Sequence, residues 1–154
     1  MRVLMVCLGN ICRSPIAEGI LRQKAAEQGI DVATDSAGTA AYHVGEAPDR
    51  RMIMTAGKNG IDISDLSARQ FVKADYQNFD LIYAMDQSNY DNMIRLAATE
   101  SDRQKVRLIL NESNPGSNAE VPDPYYGGDQ GFQHVIDLLD VAVDKVIERI
   151  KTNG

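Results

Sequence analysis

The feature that most constrains the fold lies near the first residue, where a strand runs into a short loop and then a helix. Arg2 to Val6 form a near-continuous apolar run that ends at Cys7, which is typical of a parallel strand buried on both faces. Ser14-Pro15 then supplies an N-cap and a first helical residue, and apolar residues at helical spacing continue until Gly29. This order predicts an α/β architecture with Cys7 at a strand end.

Three further strands are predicted downstream, separated by helical stretches. The candidates are Asp31 to Ser36, Phe79 to Met85 and Val106 to Leu110. Strands that alternate with helices favour a parallel sheet with helices on both faces. Pro48 is expected to begin a helix reaching about Asn59, and Asp86 to cap one reaching about Ala97.

The last part of the chain carries an apolar stripe at helical spacing. Its members are Phe132, Val135, Ile136, Leu139, Val143, Val146, Ile147 and Ile150. Because a parallel sheet needs covering helices, we interpret the stripe as the core-facing side of a long final helix. A partner-binding face is the alternative.

Length and composition predict one domain over residues 1–154. The chain is 44% hydrophobic and contains no linker, repeat or low-complexity tract, so one core is the simplest arrangement. No apolar run approaches the roughly 18 residues of a membrane span, and we expect a cytoplasmic protein with no membrane partner. The net charge of −6 argues against nucleic acid as a partner, because phosphate backbones need a basic face.

The loop between Cys7 and Ser14 has the chemistry of a phosphate cradle. A strand-to-helix loop directs successive backbone N–H groups at one centre, and the helix behind it adds partial positive charge. Gly9 and Asn10 tolerate the positive φ that such a ring needs. Arg13 supplies a planar fork for two phosphoryl oxygens. The same field favours a thiolate at Cys7.

The cysteine and histidine counts argue against other kinds of site. Cys7 and Cys12 are the only cysteines, and their spacing suits neither a zinc ribbon nor a Cys-x-x-Cys redox motif. We therefore expect no metal and no cofactor. His43 and His134 are interpreted as structural or surface residues, so the loop itself has to activate the thiol.

Thiolate attack on a phosphate monoester also requires a proton for the leaving oxygen, and nothing between Cys7 and Ser14 supplies one. Asp123 is the candidate acid, since Pro122 and Pro124 restrict the backbone on both sides of it. An ordinary turn aspartate is the alternative.

Four segments, in order along the chain, carry a resemblance to a known family. They are Val6 to Glu18 (VCLGNICRSPIAE), Asp35 to Thr39, Met85 to Asn89 and Asp123 to Gly127. The chain resembles the low-molecular-weight protein tyrosine phosphatases over nearly its whole length. The resemblance implies a flavodoxin-like, doubly wound sheet with strand order 2-1-3-4. It also implies hydrolysis of protein phosphotyrosine through a cysteinyl-phosphate intermediate.

The resemblance assigns roles to residues of this sequence. Cys7, Arg13 and Asp123 are the expected catalytic residues, and the phosphate is bound by Leu8, Gly9, Asn10, Ile11, Cys12, Arg13 and Ser14. Asn10 and Ser36 are expected to brace the loop, as are Asp86 and Ser14, which have N-capping as alternative or additional roles. Cys12 is expected to form a reversible disulfide with Cys7, or else is a small packing residue.

The resemblance also describes the cleft and its substrate. Leu8, Ile11, Tyr42, Tyr125 and Tyr126 match cleft-lining positions that suit the flat ring of phosphotyrosine. An arginine phosphatase of the same scaffold carries threonine where this chain has Ile11, and a related arsenate reductase needs a late cysteine pair that is absent. A non-catalytic phosphate-binding module is a further alternative. Phosphotyrosine proteins and a tyrosine kinase are candidate partners of a monomeric or weakly self-associating protein.

Overall fold

A four-stranded sheet forms the centre of the fold. A computed structural model describes residues 1–124 and 128–153, apart from the side chains of 128 and 129. The strands are β1 (Arg2–Cys7), β2 (Ala33–Gly38), β3 (Leu81–Ala84) and β4 (Val106–Leu108). They form a parallel sheet in the order β2-β1-β3-β4. The predicted α/β fold and strand order are confirmed.

Three strands differ slightly from their predicted limits. β2 is shifted toward the C-terminus, because it pairs with β1 until Cys7 lies opposite Gly38. β4 ends at Leu108, since Ile109 already has helical dihedral angles of φ −62° and ψ −37°. β3 is shorter at both ends than the apolar run that predicted it.

Helices cover both faces of the sheet. They are α1 (Arg13–Glu27), α2 (Arg50–Lys58), α3 (Asp75–Asn78), α4 (Gln87–Ile94), α5 (Glu100–Lys105), α6 (Leu110–Ser113) and α7 (Gly128–Asn153). Val3 and Met5 of β1 belong to the apolar layer that includes α1 and α7, whereas Leu4 and Val6 belong to the layer on the other face. Burial on both faces explains the continuous apolar run of β1.

The start of α1 corrects one prediction. Ser14 is not the N-cap, because α1 begins at Arg13 and Cys12 occupies the cap position without a side-chain hydrogen bond. Ser14 Oγ lies 3.0 Å from Cys7 Sγ instead. The hydroxyl is therefore directed into the loop rather than at the helix N–H groups.

The starts of two other helices depend on aspartate caps. α2 begins at Arg50 rather than at Pro48, because Asp49 accepts a hydrogen bond from the Arg51 N–H at 2.8 Å. Asp86 caps α4 as predicted, accepting from the Asn89 N–H at 2.8 Å. Both caps lie at the edge of the sheet where the site is found.

The long final helix packs on the sheet as predicted. Every member of its apolar stripe is buried in the layer shared with α1, so the stripe is core and not a partner-binding face. None of the helices described in the structure is long and apolar enough to cross a membrane.

Candidate active site

The loop that joins β1 to α1 forms the floor of the site. Asn10 within it is left-handed, with φ 58°, as expected. A glycine is needed at the end of β2, because a Cβ on Gly38 would lie 2.7 Å from the Leu8 carbonyl oxygen and 3.2 Å from the Asn10 nitrogen. The loop therefore closes tightly against the neighbouring strand.

Cys7 is nearly buried at the carboxyl end of β1. The Asn10 N–H donates to its Sγ at 3.2 Å, and Ser14 Oγ lies 3.0 Å from the same sulfur. Ser14 Oγ accepts a hydrogen bond from Asn10 Nδ2 at 2.8 Å and lies 3.4 Å from the Ala37 carbonyl oxygen, a second acceptor for its hydrogen. The Asn10 N–H, and the Ser14 hydroxyl when it turns its hydrogen to the sulfur, stabilise negative charge there.

Arg13 is held in place from the far side of the loop. Its Nη1 donates to Asp86 Oδ2 at 2.7 Å and to the Val121 carbonyl oxygen at 3.1 Å. Asp86 caps α4 through its other oxygen, so the two predicted roles of this residue coexist. Burial lowers the pKa of Arg13, but Cys7, Asp86 and Asp123 raise it more, and its net pKa lies above the ordinary value.

Cys12 is the second thiol of the loop. It is buried, and both cysteines are free thiols. Burial, followed by the charges of Asp49, Cys7 and Asp123, raises the pKa of Cys12 well above its ordinary value, and Arg51 opposes this only in part. The environment therefore keeps Cys12 protonated at neutral pH.

An open cleft of about 300 Å³ lies above the loop. It is lined by Cys7, Leu8, Gly9, Ile11, Cys12, Arg13, Tyr42, His43 and Asp123. Asp123 thus borders the same space as Cys7 and Arg13, although it is distant from both in sequence. Leu8 is partly exposed and Tyr42 is 74% exposed, so both lie at the mouth. Tyr125 and Tyr126, also expected in the cleft, lie outside the described residues.

Ser36 was expected to brace the loop, but its hydroxyl forms no hydrogen bond with a loop residue. Ser36 Oγ donates to Glu18 Oε1 at 2.8 Å, and Glu18 is buried on α1. Burial raises the pKa of Glu18, and the hydrogen bond from Ser36 opposes this only in part. Ser36 therefore joins β2 to α1 beneath the loop instead of bracing Asn10.

The residue that braces Asn10 is Arg69. Its backbone N–H donates to Asn10 Oδ1 at 3.0 Å. The Arg69 guanidinium bridges Asp35 Oδ2 at 3.1 Å and both oxygens of Asp75, at 3.0 and 3.1 Å. Asp75 is 3% exposed. A buried carboxylate thus fixes the segment that holds the left-handed Asn10.

Tyr42 and His43, which precede α2, form the other wall of the cleft. The Asp49 N–H donates to the Ile11 carbonyl oxygen at 2.7 Å. His43 lies over the loop, since a Cβ on Gly9 would be 3.2 Å from His43 Cδ2, and its Nδ1 is hydrogen-bonded to Glu46. His43 therefore has a place in the cleft wall that its sequence context did not predict.

The donor set of the site suits an oxyanion. The Arg13 guanidinium and the Cys7 thiol line the cleft, and the Asn10 N–H is directed at Cys7 Sγ beside the start of α1, which is the chemistry of phosphate binding. Within the part of the chain that the structure describes, no group of three or more His, Cys, Asp and Glu side chains is arranged to hold a metal ion.

Comparison with known proteins agrees with this geometry. The family model described as low molecular weight phosphotyrosine protein phosphatase matches residues 2–154. The chain belongs to that family. It is accordingly a protein-tyrosine phosphatase of the low-molecular-weight class, as the resemblance implied.

Individual relatives of this phosphatase match it over 85% or more of its length. A low molecular weight phosphotyrosine protein phosphatase of Schizosaccharomyces pombe is 46% identical over 85% of each chain. A protein tyrosine phosphatase structure from Entamoeba histolytica has a TM-score of 0.93 at 38% identity and covers 99% of this chain and 98% of that one. A Drosophila arginine phosphatase structure has a TM-score of 0.91 at 29% identity and covers 100% of both chains.

Proposed function

We propose that Cys7 is the nucleophile of this phosphatase, that Asp123 is its general acid and base, and that Arg13 and the loop N–H groups bind the phosphoryl group. The observation that supports the assignment is the single cleft bordered by all three side chains. The sulfur lies on the cleft floor with two hydrogen-bond partners. Arg13 is oriented by Asp86 through one nitrogen only, which leaves its other N–H groups for phosphoryl oxygens.

The first step forms a phosphorus–sulfur bond. The Cys7 thiolate attacks phosphorus in line, the bond from phosphorus to the tyrosine oxygen breaks, and the carboxyl group of Asp123 gives its proton to that oxygen. The loop amides and Arg13 stabilise the charge on the equatorial oxygens, so most of the catalysis is electrostatic and positional.

The second step regenerates the enzyme. The Asp123 carboxylate takes a proton from water as the water oxygen attacks phosphorus, and the phosphorus–sulfur bond breaks. Inorganic phosphate and the Cys7 thiolate are the products. The Ser14 hydroxyl, 3.0 Å from Sγ, stabilises the departing thiolate.

The walls of the cleft favour phosphotyrosine in a protein segment. Leu8, Ile11 and Tyr42 offer apolar and aromatic surface to a ring, whereas the phosphate of phosphoserine sits on a stem too short to reach the floor. Tyr125 and Tyr126 are proposed to complete this wall. Phosphoarginine is the second candidate, because of the similarity to the Drosophila arginine phosphatase.

Cys12 is proposed as a redox partner of Cys7. Hydrogen peroxide would convert the Cys7 thiolate to a sulfenate, and the Cys12 sulfur, as it loses its proton, would displace hydroxide to form a disulfide. The place of Cys12 in the lining of the same cleft as Cys7 supports this role. We further propose that residues 1–154 act as one cytoplasmic domain, monomeric or weakly self-associating, whose phosphoprotein substrates are supplied by a tyrosine kinase.

The test is hydrolysis of matched phosphotyrosine, phosphoarginine and phosphoserine peptides by the wild type and by three variants. Cys7→Ser should abolish phosphotyrosine hydrolysis, and Cys12→Ser, the matched control, should retain it. Asp123→Asn should lower kcat on phosphotyrosine by about 10²- to 10⁴-fold. The loss should be smaller on para-nitrophenyl phosphate, whose leaving group needs less protonation. Preference for phosphoarginine would contradict the substrate, and full activity of Cys7→Ser would contradict the mechanism.

A further inference from the structure

A second concave surface lies between α2 and the first turns of α7. It is lined by Arg51, Met54, Thr55, Lys58, Gln130 and Gln133 and encloses about 310 Å³; we call it the α2 groove. Its volume is comparable to that of the cleft above Cys7. The mechanism proposed above uses no residue of this groove.

The α2 groove is cationic in an acidic protein. The chain has a net charge of −6, yet α2 contains Arg50, Arg51 and Lys58 and no Asp or Glu. Asp49 pairs with Arg51, which offsets one charge. Lys58 is exposed and has no ion pair among the residues that the structure describes. An exposed cation of this kind attracts a carboxylate or phosphate from outside.

The walls of the groove are fixed before anything binds. The Arg51 guanidinium lies over the Phe132 ring, 4.8 Å from its centroid, and donates to Asp49. On the opposite wall, Gln133 and Asn59 exchange two hydrogen bonds of 2.8 and 3.1 Å. Side chains already held in one conformation lose little entropy when a ligand binds.

The groove and the catalytic cleft are linked through the start of α2. The hydrogen bond from Asp49 N–H to the Ile11 carbonyl oxygen joins the start of α2 to the cleft lining. Arg51 stands at this junction, and its charge acts on the Cys12 thiol inside the cleft. Lys58 lies two helical turns, or about 10 Å, further along α2. Met54, which is exposed, adds apolar surface between them.

We propose that the α2 groove binds the substrate protein itself, through an acidic residue about three to five positions from the phosphotyrosine. An extended chain advances about 3.3 Å per residue, so three to five residues span about 10–17 Å, enough to cover the length of α2 from Arg51 to Lys58. The carboxylate pairs with Lys58, and an apolar neighbour contacts Met54. This inference rests on the proposed function and adds to it a preference for sequence context.

The experiment is a glutamate scan of a phosphotyrosine peptide. A single Glu is moved from six residues before the phosphotyrosine to six residues after it, and each peptide is compared with its Gln counterpart on the wild type, Lys58→Glu and Lys151→Glu. Lys151 is exposed near the far end of α7, about 30 Å along that helix from Gln130. Both variants change net charge equally, so Lys151→Glu is the matched control. Para-nitrophenyl phosphate, which has no flanking residues, reports basal activity.

On the wild type, Glu three to five positions away, on one side of the phosphotyrosine, should raise kcat/KM by about three- to fivefold over Gln. The advantage should reverse in Lys58→Glu, persist in Lys151→Glu and weaken with added salt. If Lys58→Glu and Lys151→Glu changed the ratio of kcat/KM between Glu and Gln peptides equally, the groove assignment would be wrong. It would also be wrong if the wild type hydrolysed para-nitrophenyl phosphate but showed no preference for the position of Glu. Neither result would contradict the proposed function. A wild type that hydrolyses no substrate at all would overturn the proposed function and this inference with it.

Discussion

The ion pair between Arg13 and Asp86 should contribute to the free energy of unfolding as well as hold Arg13 in the site. Asp86→Ala tests this. Arg13 and Asp86 are 2.7 Å apart at their closest atoms, with side chains 5% and 21% exposed. Removing one partner of a buried pair leaves an uncompensated charge, which costs about 3–5 kcal/mol. The lower end applies here because Asp86 is partly exposed and Arg13 keeps its hydrogen bond to Val121.

Asp86→Ala also removes the N-cap of α4, because the same carboxylate accepts from Asn89 N–H. Loss of a cap costs about 1 kcal/mol. The variant should therefore lose about 3–4 kcal/mol of unfolding free energy, which corresponds to a fall of roughly 6–16 °C in Tm for a chain of this size.

A double-mutant cycle with Arg13→Met separates the two contributions. The cap is lost in both Asp86 variants and cancels, so the coupling energy reports the pair alone. Urea unfolding followed by circular dichroism should give a coupling of about 2–3 kcal/mol at unchanged m. A coupling near zero would show that Asp86 acts only as a cap and would refute the reasoning.

Two further variants test the residues beneath the loop. Arg69→Ala should lower the unfolding free energy by about 2–3 kcal/mol, because buried Asp75 loses its cationic partner and keeps the hydrogen bond from the Val72 N–H. The variant should also lower kcat more than it raises KM. Arg22→Ala, which breaks an exposed pair with Asp65, should cost less than about 1 kcal/mol; equal losses in the two would contradict the role of Arg69. Burial raises the pKa of Glu18 in the folded chain. Above the ordinary glutamate pKa, the folded chain therefore binds more protons than the unfolded chain. The free energy of unfolding then falls as pH rises through the folded-state pKa of Glu18. Glu18→Gln should therefore unfold at higher urea than the wild type at pH 7 and show a flatter pH dependence above pH 4; unchanged curves would contradict this.

Local patterns predicted the parts of the molecule that local forces determine. The buried run of β1, the aspartate cap of α4 and the apolar stripe of α7 all follow from hydrogen bonding and burial within one element. Helix starts were less predictable, because Ser14 has the side chain of a cap and yet contacts Cys7. The path of the preceding loop decides whether Ser14 caps α1 or contacts Cys7, and residue spacing alone does not define that path.

The residues that support the site could not be predicted from local patterns, because they act through contacts between segments that are distant in sequence. Glu18 stands among apolar residues in the first half of α1, and the sequence indicates no partner for it until Ser36 is found beside it. Arg69 carries no local signal for its bond to Asn10. His43 belongs to the cleft only because a turn folds it over Gly9. Such pairings are set by tertiary packing, so a single sequence contains little information about them.

The attachment of Asn10 to Arg69 has a consequence for the order of folding. The left-handed turn at Asn10 relies on a partner near the middle of the chain, and that partner is fixed only when buried Asp75 has docked. Contacts between segments so far apart form after local ones, since the intervening chain must first be ordered. Until that contact forms, nothing from the middle of the chain holds the turn whose N–H is directed at Cys7 Sγ. We therefore expect the hydrogen-bonded geometry around Cys7 to be completed late in folding.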